Sequence, residues 1–237
     1  MRILSFNTST ANLHACLLQG DSIAAKKTIV CSPEDRQFAA SLIIPTIKDI
    51  LSEANWHKSD LEAIIVGIGP GSFTGIRIAV VTARTLCQAL NLPLLGISEF
   101  ECYAFKEQIT EFPYVITLDA GKNQYYCAHI NQGYPSKIRN QNGLNKQVKW
   151  EMTYHHLNEQ EAENHFLNFK GVLKPSLSSI ESVNLAVDQV TIANLWLNEA
   201  KQLKQELSEI FPYHLVKPLY IRNASITISP LKKAAKS

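Results

Sequence analysis

The stretch Leu61–Leu90, LEAIIVGIGPGSFTGIRIAVVTARTLCQAL, constrains what this chain can fold into more than any other part of it. It opens with a short run of branched apolar residues, Ala63 to Ile68, the pattern of a strand buried on both faces. A loop carrying Gly67, Gly69, Gly71 and Gly75 follows, and then about fifteen residues without Gly or Pro that read as a helix. Pro70 fixes one backbone angle between two glycines that tolerate unusual ones, so the turn is sharp and specific.

The predicted helix has an unusual surface. Arg77, Arg84 and Gln88 fall on one line at helical spacing with Val81 between them, and nearly everything else is apolar or small. A surface helix needs one apolar stripe; this one is apolar around most of its circumference, which predicts cover on two sides. One side is its own sheet. The other is more of the same chain or another protein.

Strand, glycine loop and helix together invite a phosphate site, because free amides at a helix N-terminus attract anions. The details disagree. A P-loop ends in Gly-Lys-Ser/Thr, whereas Gly75 is followed by Ile76 and Arg77. The dinucleotide pattern sets two residues between its second and third glycines, whereas Gly71 and Gly75 are separated by three. Gly69, Pro70, Gly71, Ser72, Phe73, Thr74 and Gly75 therefore read as a structural glycine loop.

At 237 residues with 46% hydrophobic content the chain can bury a sizeable core, as one large domain or two small ones. A net charge of +2 gives no electrostatic case for nucleic acid or membrane as a direct partner, and Lys232, Lys233 and Lys236 read as a solvated tail. Cys16, Cys31, Cys87, Cys102 and Cys127 lack a C-x-x-C pair, which suits a reducing compartment. With no apolar leader and no run of membrane-spanning length, the expectation is a cytoplasmic protein.

In chain order, Arg2–Asn7, Leu13–Leu18 and Ser22–Val30 read as strands, with a hairpin turn at Gln19-Gly20-Asp21. Ser32-Pro33-Glu34-Asp35 is a helix start, and Phe38, Leu42, Ile43, Ile47, Ile50 and Leu51 form the following apolar face, with Pro45 predicted to kink or split it. A strand over Pro93–Ile97 and a helix over Glu99–Gln108 complete a ribonuclease H-like unit. A second unit begins at Tyr114: Val115–Asp119, a polar turn, a strand and Gln132-Gly133 echo Ile3–Asn7 through Gln19-Gly20. Residues 140–145 read as a polar loop, Gln147–Tyr154 as a strand and Gln189–Leu207 as a helix.

The string GPGSFTGIRI resembles the hallmark of the bacterial TsaB (YeaZ) family, in which a GPGSFTG segment precedes a helix at this point. The resemblance continues through Asn91-Leu92-Pro93-Leu94-Leu95-Gly96-Ile97-Ser98, extends back to Met1–Leu4 and returns at Lys217-Pro218-Leu219-Tyr220-Ile221-Arg222-Asn223. It implies an α/β fold of duplicated ribonuclease H-like units, the actin/Hsp70/sugar-kinase architecture. The expected division is an N-terminal unit over 1–108 carrying partner-binding helices and a divergent C-terminal unit over 109–237, its tail a candidate to pack back on the first.

Kinases and ATPases of this architecture place an Asp after the first strand of each half, with glycine close behind. Here the second half keeps Asp119 and Gly121, but the first has Asn7, which carries no charge and cannot serve as a base at neutral pH. TsaB relatives usually have Asp there, and follow the second Asp with Arg and Glu where this chain has Gly121 and Gln124. These positions read as a vestigial nucleotide cleft. The sister family TsaD resembles this chain but carries a His-x-x-x-His metal pair where this sequence has Glu99 and Tyr103. His155 and His156 are adjacent, so they point apart and read as exposed side chains; no metal is assigned. Ser72 and Thr74 have no base near in sequence, so no catalytic residue is assigned.

The resemblance implies a non-catalytic partner and activator of TsaD in making N6-threonylcarbamoyladenosine (t6A) beside the anticodon of tRNAs reading codons that begin with A. TsaE joins that pair, tRNA is met through the complex, no cofactor is the chain's own, and ATP or ADP enters only in the assembly. The family contact uses the first two helices, here about Glu34–Glu53 and Ser72–Leu90. The expected interface is Phe38, Leu42, Ile76, Val80, Ala83 and Cys87, with Arg77 or Arg84 at its edge, and a homodimer when the partner is absent. Otherwise these residues are internal core. The competing function is a stand-alone ATP-dependent kinase-like enzyme or a peptidase of the same fold.

Overall fold

The computed structural model describes residues 1–10, 12–30, 38–106, 113–132, 139–141, 144–146, 151–166, 172–173, 197 and 206–221. Five strands, β1 (Arg2–Asn7), β2 (Asn12–Gln19), β3 (Ser22–Val30), β4 (Ala63–Gly67) and β5 (Leu94–Ile97), form one sheet in the order β3-β2-β1-β4-β5. The β2–β3 turn contains Gly20 at φ +62°, and the first three strands run antiparallel. Helices α1 (Phe38–Glu53) and α2 (Phe73–Leu90) then return the chain, so β4 and β5 add parallel to β1. All five residues of β4 are buried, as its unbroken apolar run requires; the edge strand β3 is mostly exposed and carries Lys26 and Lys27. Helix α1 runs unbroken through Pro45, so the predicted split does not occur. Pro45 lies on the solvent side.

A second sheet repeats this plan. Helix α3 (Glu99–Lys106) leads to β6 (Tyr114–Asp119) and β7 (Gln124–Gln132); a hairpin of β8 (Arg139–Gln141) and β9 (Leu144–Lys146) leads to β10 (Glu151–Asn158), α4 (Glu159–Phe166) and β11 (Val172–Leu173). The order is β10-β7-β6-β11, with β6–β7 and β7–β10 antiparallel and β6–β11 parallel. Those are the senses of β3-β2-β1-β4. The short echo between the two strand pairs is therefore repeated in topology. Two expectations shift: the polar loop over 140–145 is a two-stranded hairpin, and the strand predicted at 147–154 sits at 151–158. The helix predicted over Gln189–Leu207 falls largely outside the described residues, although Leu197 is helical and buried.

Three apolar clusters hold these layers. Leu4, Phe6 and Val66 on one face of the first sheet meet Ile43 and Ile47 of α1 and Ile76, Val80 and Ala83 of α2. On the opposite face, Ile3, Cys16, Ile65, Leu95 and Ile97 meet Cys102 of α3 with Ile210 and Phe211. Phe100 and Ala104 of α3 join Ile116, Leu118, Ala128 and Ile130 of the second sheet. Helix α3 thus serves both sheets.

Residues 206–221 close the structure from the far end of the described chain. A short helix α5 (Leu207–Ile210) leads to a 3-10 turn (Tyr213–Leu215) packed against α2. Leu94 N donates to Phe211 O at 3.1 Å and Leu219 N to Ile68 O at 2.8 Å. Val216 and Leu219 join the core beneath α2, and Tyr220 stacks on Phe73 with centroids 4.8 Å apart. Leu219 and Tyr220, within the second stretch that carries the resemblance, thus lie beside the glycine loop in space.

Candidate functional site

The glycine loop meets the β1–β2 turn backbone to backbone. A Cβ at Gly75 would lie 2.1 Å from Thr8 O, one at Gly71 2.1 Å from Ser9 O, and one at Gly67 2.5 Å from the Asn7 side chain. Glycine is the only residue with no atom to place there. Polar bonds seal the contact: Ser72 N donates to Ser9 O at 2.6 Å and Thr8 Oγ1 to Gly75 O at 2.7 Å. Ser72 Oγ accepts from Gly75 N and caps α2, which gives this candidate nucleophile a structural partner. Gly69 stands at φ +100°, its bond to Pro70 is cis, and its carbonyl accepts from Glu99 N at 2.9 Å. Phe73 and Thr74 are exposed at the helix start. The Ser72 amide, which a phosphate loop would present to an anion, already has an acceptor.

The two vestigial-cleft positions use one local device in different surroundings. Asn7 Oδ1 accepts from Ser9 N at 2.8 Å, and Asp119 Oδ1 accepts from Gly121 N at 2.6 Å. Asp119 is exposed and Gly121, at φ +77°, has open space around it. Asn7 is fully buried, and its Nδ2 donates to Glu99 Oε1 at 2.7 Å. Ser9 Oγ donates to the same oxygen, and Glu99 Oε2 has no partner. Burial pushes the Glu99 carboxyl above the ordinary range, against the bonds from Ser9 and Asn7, which favour the ionised form. Directly across from Asn7 on β2, His14 is also buried; its Nδ1 pairs with Thr28 Oγ1 at 3.1 Å, and burial lowers its pKa to about 4.

Glu99 is the residue that sequence reasoning passed over, noting only that it breaks a metal pair. The available signal was Ser98-x-x-Glu101, a capping box that places Glu99 in the first turn of α3, directly after β5. The structure contains that box: Ser98 Oγ accepts from Glu101 N, and Glu101 Oε2 accepts from Ser98 N at 2.7 Å. Among the described residues, no three His, Cys, Asp or Glu side chains gather as metal ligands. His155 and His156 are half-buried rather than exposed, each in ring contact with β7, His155 with His129 and His156 with Tyr126.

Helix α2 divides the expected interface in two. Ile76, Val80, Ala83 and Cys87 are at most 1% exposed and face the sheet, so they are core and cannot meet a partner. Gly75 lets the start of α2 approach the β1–β2 turn, and the small residues Ala79 and Ala83 are buried in the core that α2 shares with its sheet and α1. The outward face carries Phe73, Arg77, Val81, Thr85 and Gln88, with Arg84 half-buried beside them. Val81 is 56% exposed and Phe73 39%. The apolar residues left on the outward face are Phe73 and Val81, set among Arg77, Thr85 and Gln88. On α1, Leu42 is half-buried against the core, Ile44 is exposed, and the Phe38 side chain lies outside the described residues.

Two sheets of like strand order, each beginning with a strand that ends in an Asx turn, place the chain in the duplicated ribonuclease H-like class, the actin/Hsp70/sugar-kinase architecture. A family model described as TsaD, tRNA N6-adenosine threonylcarbamoyltransferase, matches residues 32–145. The chain is 30% identical over 148 residues to the tRNA threonylcarbamoyladenosine biosynthesis protein TsaB of Bacillus subtilis (strain 168), covering 62% of this chain and 59% of that protein. It is 28% identical over 200 residues to the Escherichia coli (strain K12) protein of the same name, covering 83% and 72%. The match to the Bacillus relative thus spans about three fifths of that protein's length. In structure it is similar to YeaZ from Pseudomonas aeruginosa, with a TM-score of 0.56 at 21% identity over 92% of this chain and 99% of that one. The chain is thus similar in sequence and in fold to the TsaB (YeaZ) proteins.

Proposed function

We propose that this chain acts in the biosynthesis of t6A in tRNA, as a non-catalytic subunit that docks and activates a TsaD-type transferase through the outward face of α1 and α2. The observation that carries the reading is the pair of exposed apolar side chains on the outward side of α2, Phe73 and Val81, on a helix whose other side packs on its own sheet. The relatives' names supply the pathway. The cleft supports the absence of independent catalysis: Asn7 stands in place of the first-half Asp and is bonded to Glu99, while the exposed Asp119 closes its own turn. A TsaE-type ATPase joins the assembled pair, ATP or ADP is handled there, and tRNA is met through the complex in the cytoplasm. The partner-binding helices belong to a unit over 1–108, and 109–237 is the divergent repeat. Alone, the chain pairs weakly with itself through the same face.

The test mixes the purified chain with the TsaD-type protein of the same organism and follows size-exclusion with light scattering at about micromolar concentration. A one-to-one complex that is lost in Val81→Asp, with the monomer still folded, supports the reading. Unchanged elution of both proteins, or ATP turnover by the chain alone that disappears in Asp119→Asn, favours the stand-alone enzyme.

A further inference from the structure

Among the described residues, five of the eight exposed large apolar side chains lie on α2 or on the elements next to it, and the other three, Ile23, Val30 and Tyr154, lie on β3 and β10. Phe73 and Val81 lie on α2, Ile44 on the neighbouring α1, Leu215 on the 3-10 turn packed against α2, and Tyr220 on Phe73. Leu215 is 63% exposed and Tyr220 47%, so the strap does not simply cover α2; it adds apolar surface beside it. Charge on this surface is one-sided. Residues 72–90 and 211–221 contain no Asp or Glu, whereas Arg77, Arg84 and Lys217 are present and, among the described residues, none is in an ion pair. The nearest acids on α1 are turned elsewhere: Asp49 pairs with Lys27 of β3 at 2.6 Å, and Glu53 lies one turn further along the same side. Glu206 and Glu209 belong to the turn that packs Leu207 and Ile210 into the opposite cluster.

Resting on the proposed docking reading, we infer that the strap is part of the docking surface, and that this composite apolar and cationic face selects an acidic-rimmed protein partner, the TsaD-type subunit, over a second copy of the chain. Two copies meeting face to face would bring Arg77, Arg84 and Lys217 against like charges, which disfavours self-pairing at low salt. A partner with carboxylates around an apolar helix face gains from the same groups. Nucleic acid would also meet cations, but Val81, Leu215 and Ile44 offer it no phosphate or base-edge contact, so a protein fits better.

Salt separates the cases because its sign differs. Binding to the TsaD-type partner is measured with the full chain at 50 and 500 mM NaCl, beside the self-association constant. The hetero-pair should weaken about tenfold while the homodimer holds or tightens, because screening removes attraction in one and repulsion in the other. Leu215→Ser with Tyr220→Ser should weaken the hetero-pair about tenfold at unchanged melting temperature, and Ile23→Ser, an exposed apolar site on β3, should not. If the strap variant binds as the parent while Val81→Asp does not, the inference fails and the docking reading stands. If Val81→Asp also binds as the parent, the docking reading itself fails. A homodimer that weakens with salt, or Arg77→Ser losing tRNA binding while keeping the protein partner, overturns the inference.

Discussion

Asn7 donates through Nδ2 to Glu99 Oε1 at 2.7 Å, with both side chains fully buried. The first half of the chain thus lacks a carboxylate on β1 and has one facing the same spot from α3. An acid at position 7 would set two carboxyl groups within hydrogen-bond distance, where they can coexist only by sharing a proton. Asn7→Asp should destabilise the fold by about 2 kcal/mol or more at pH 7 and by less at pH 5. Adding Glu99→Gln, which restores an amide opposite a carboxylate, should recover most of the loss. Urea unfolding of the two single variants and the double variant measures the coupling, and additive effects would refute it.

Glu99 and His14 should tilt the pH dependence of stability in opposite directions. The folded state raises the Glu99 pKa, so it binds more protons than the unfolded chain, and this contribution falls as pH rises above the ordinary carboxyl range. Its slope is at most ~1.4 kcal/mol per pH unit. Glu99→Gln should therefore gain stability relative to the parent as pH rises above the ordinary carboxyl range. His14 is held neutral down to about 4 from an ordinary 6.5, so its contribution is present above pH 6.5 and lost on acidification through that window, on the order of 2–3 kcal/mol. His14→Gln should flatten the acid limb. Parallel curves for parent and variant would show that the group is not held as described.

Two glycines make a paired test of why the motif is rich in them. At Gly75 a methyl group meets the Thr8 carbonyl at 2.1 Å, and backbone on both sides resists moving, so Gly75→Ala should cost about 3 kcal/mol or more. At Gly121 nothing lies within 4 Å and only the positive φ opposes a side chain, so Gly121→Ala should cost about 1 kcal/mol. Thermal melts of the two variants compare the costs directly, and equal losses would contradict the contact.

Position along α2 decides whether a charge unfolds the protein or only unpairs it. Ala83 is fully buried against the sheet, so Ala83→Glu should destabilise by about 3–5 kcal/mol and give an unfolded or aggregated product. Val81→Asp, two residues away on the open face, should keep the parent circular dichroism spectrum and melting temperature to within a few degrees. A folded, soluble Ala83→Glu protein would mean that α2 is not seated as described.

Much of the first half was legible because its signals are local. Apolar runs and turn residues gave β1 to β3 and an unbroken apolar run gave β4, while the helix read from the first residue after Gly75 begins earlier, at Phe73, with Ser72 as its cap. The outward line of α2 was legible in the spacing of Arg77, Val81, Arg84 and Gln88, but the partner contact was expected on Ile76, Val80, Ala83 and Cys87, which the structure buries against the sheet. The Asn7–Glu99 bond was not legible, because its partners lie on different elements with β4 and α2 between them in the chain. The hairpin at 139–146 was missed because its strands are short and polar, and its pairing is held by backbone bonds that side-chain patterning does not report.

The strap has a consequence for how the protein is made. Ile3, Leu95 and Ile97 are translated long before Ile210 and Phe211, which pack against them, and β5 waits for Phe211 to accept the hydrogen bond from Leu94. A nascent chain therefore leaves the ribosome with one edge of its first sheet and one face of its core uncovered until residues 207–221 follow. Although its topology is that of two repeats, the core of the first repeat is completed by side chains more than a hundred residues further along the chain.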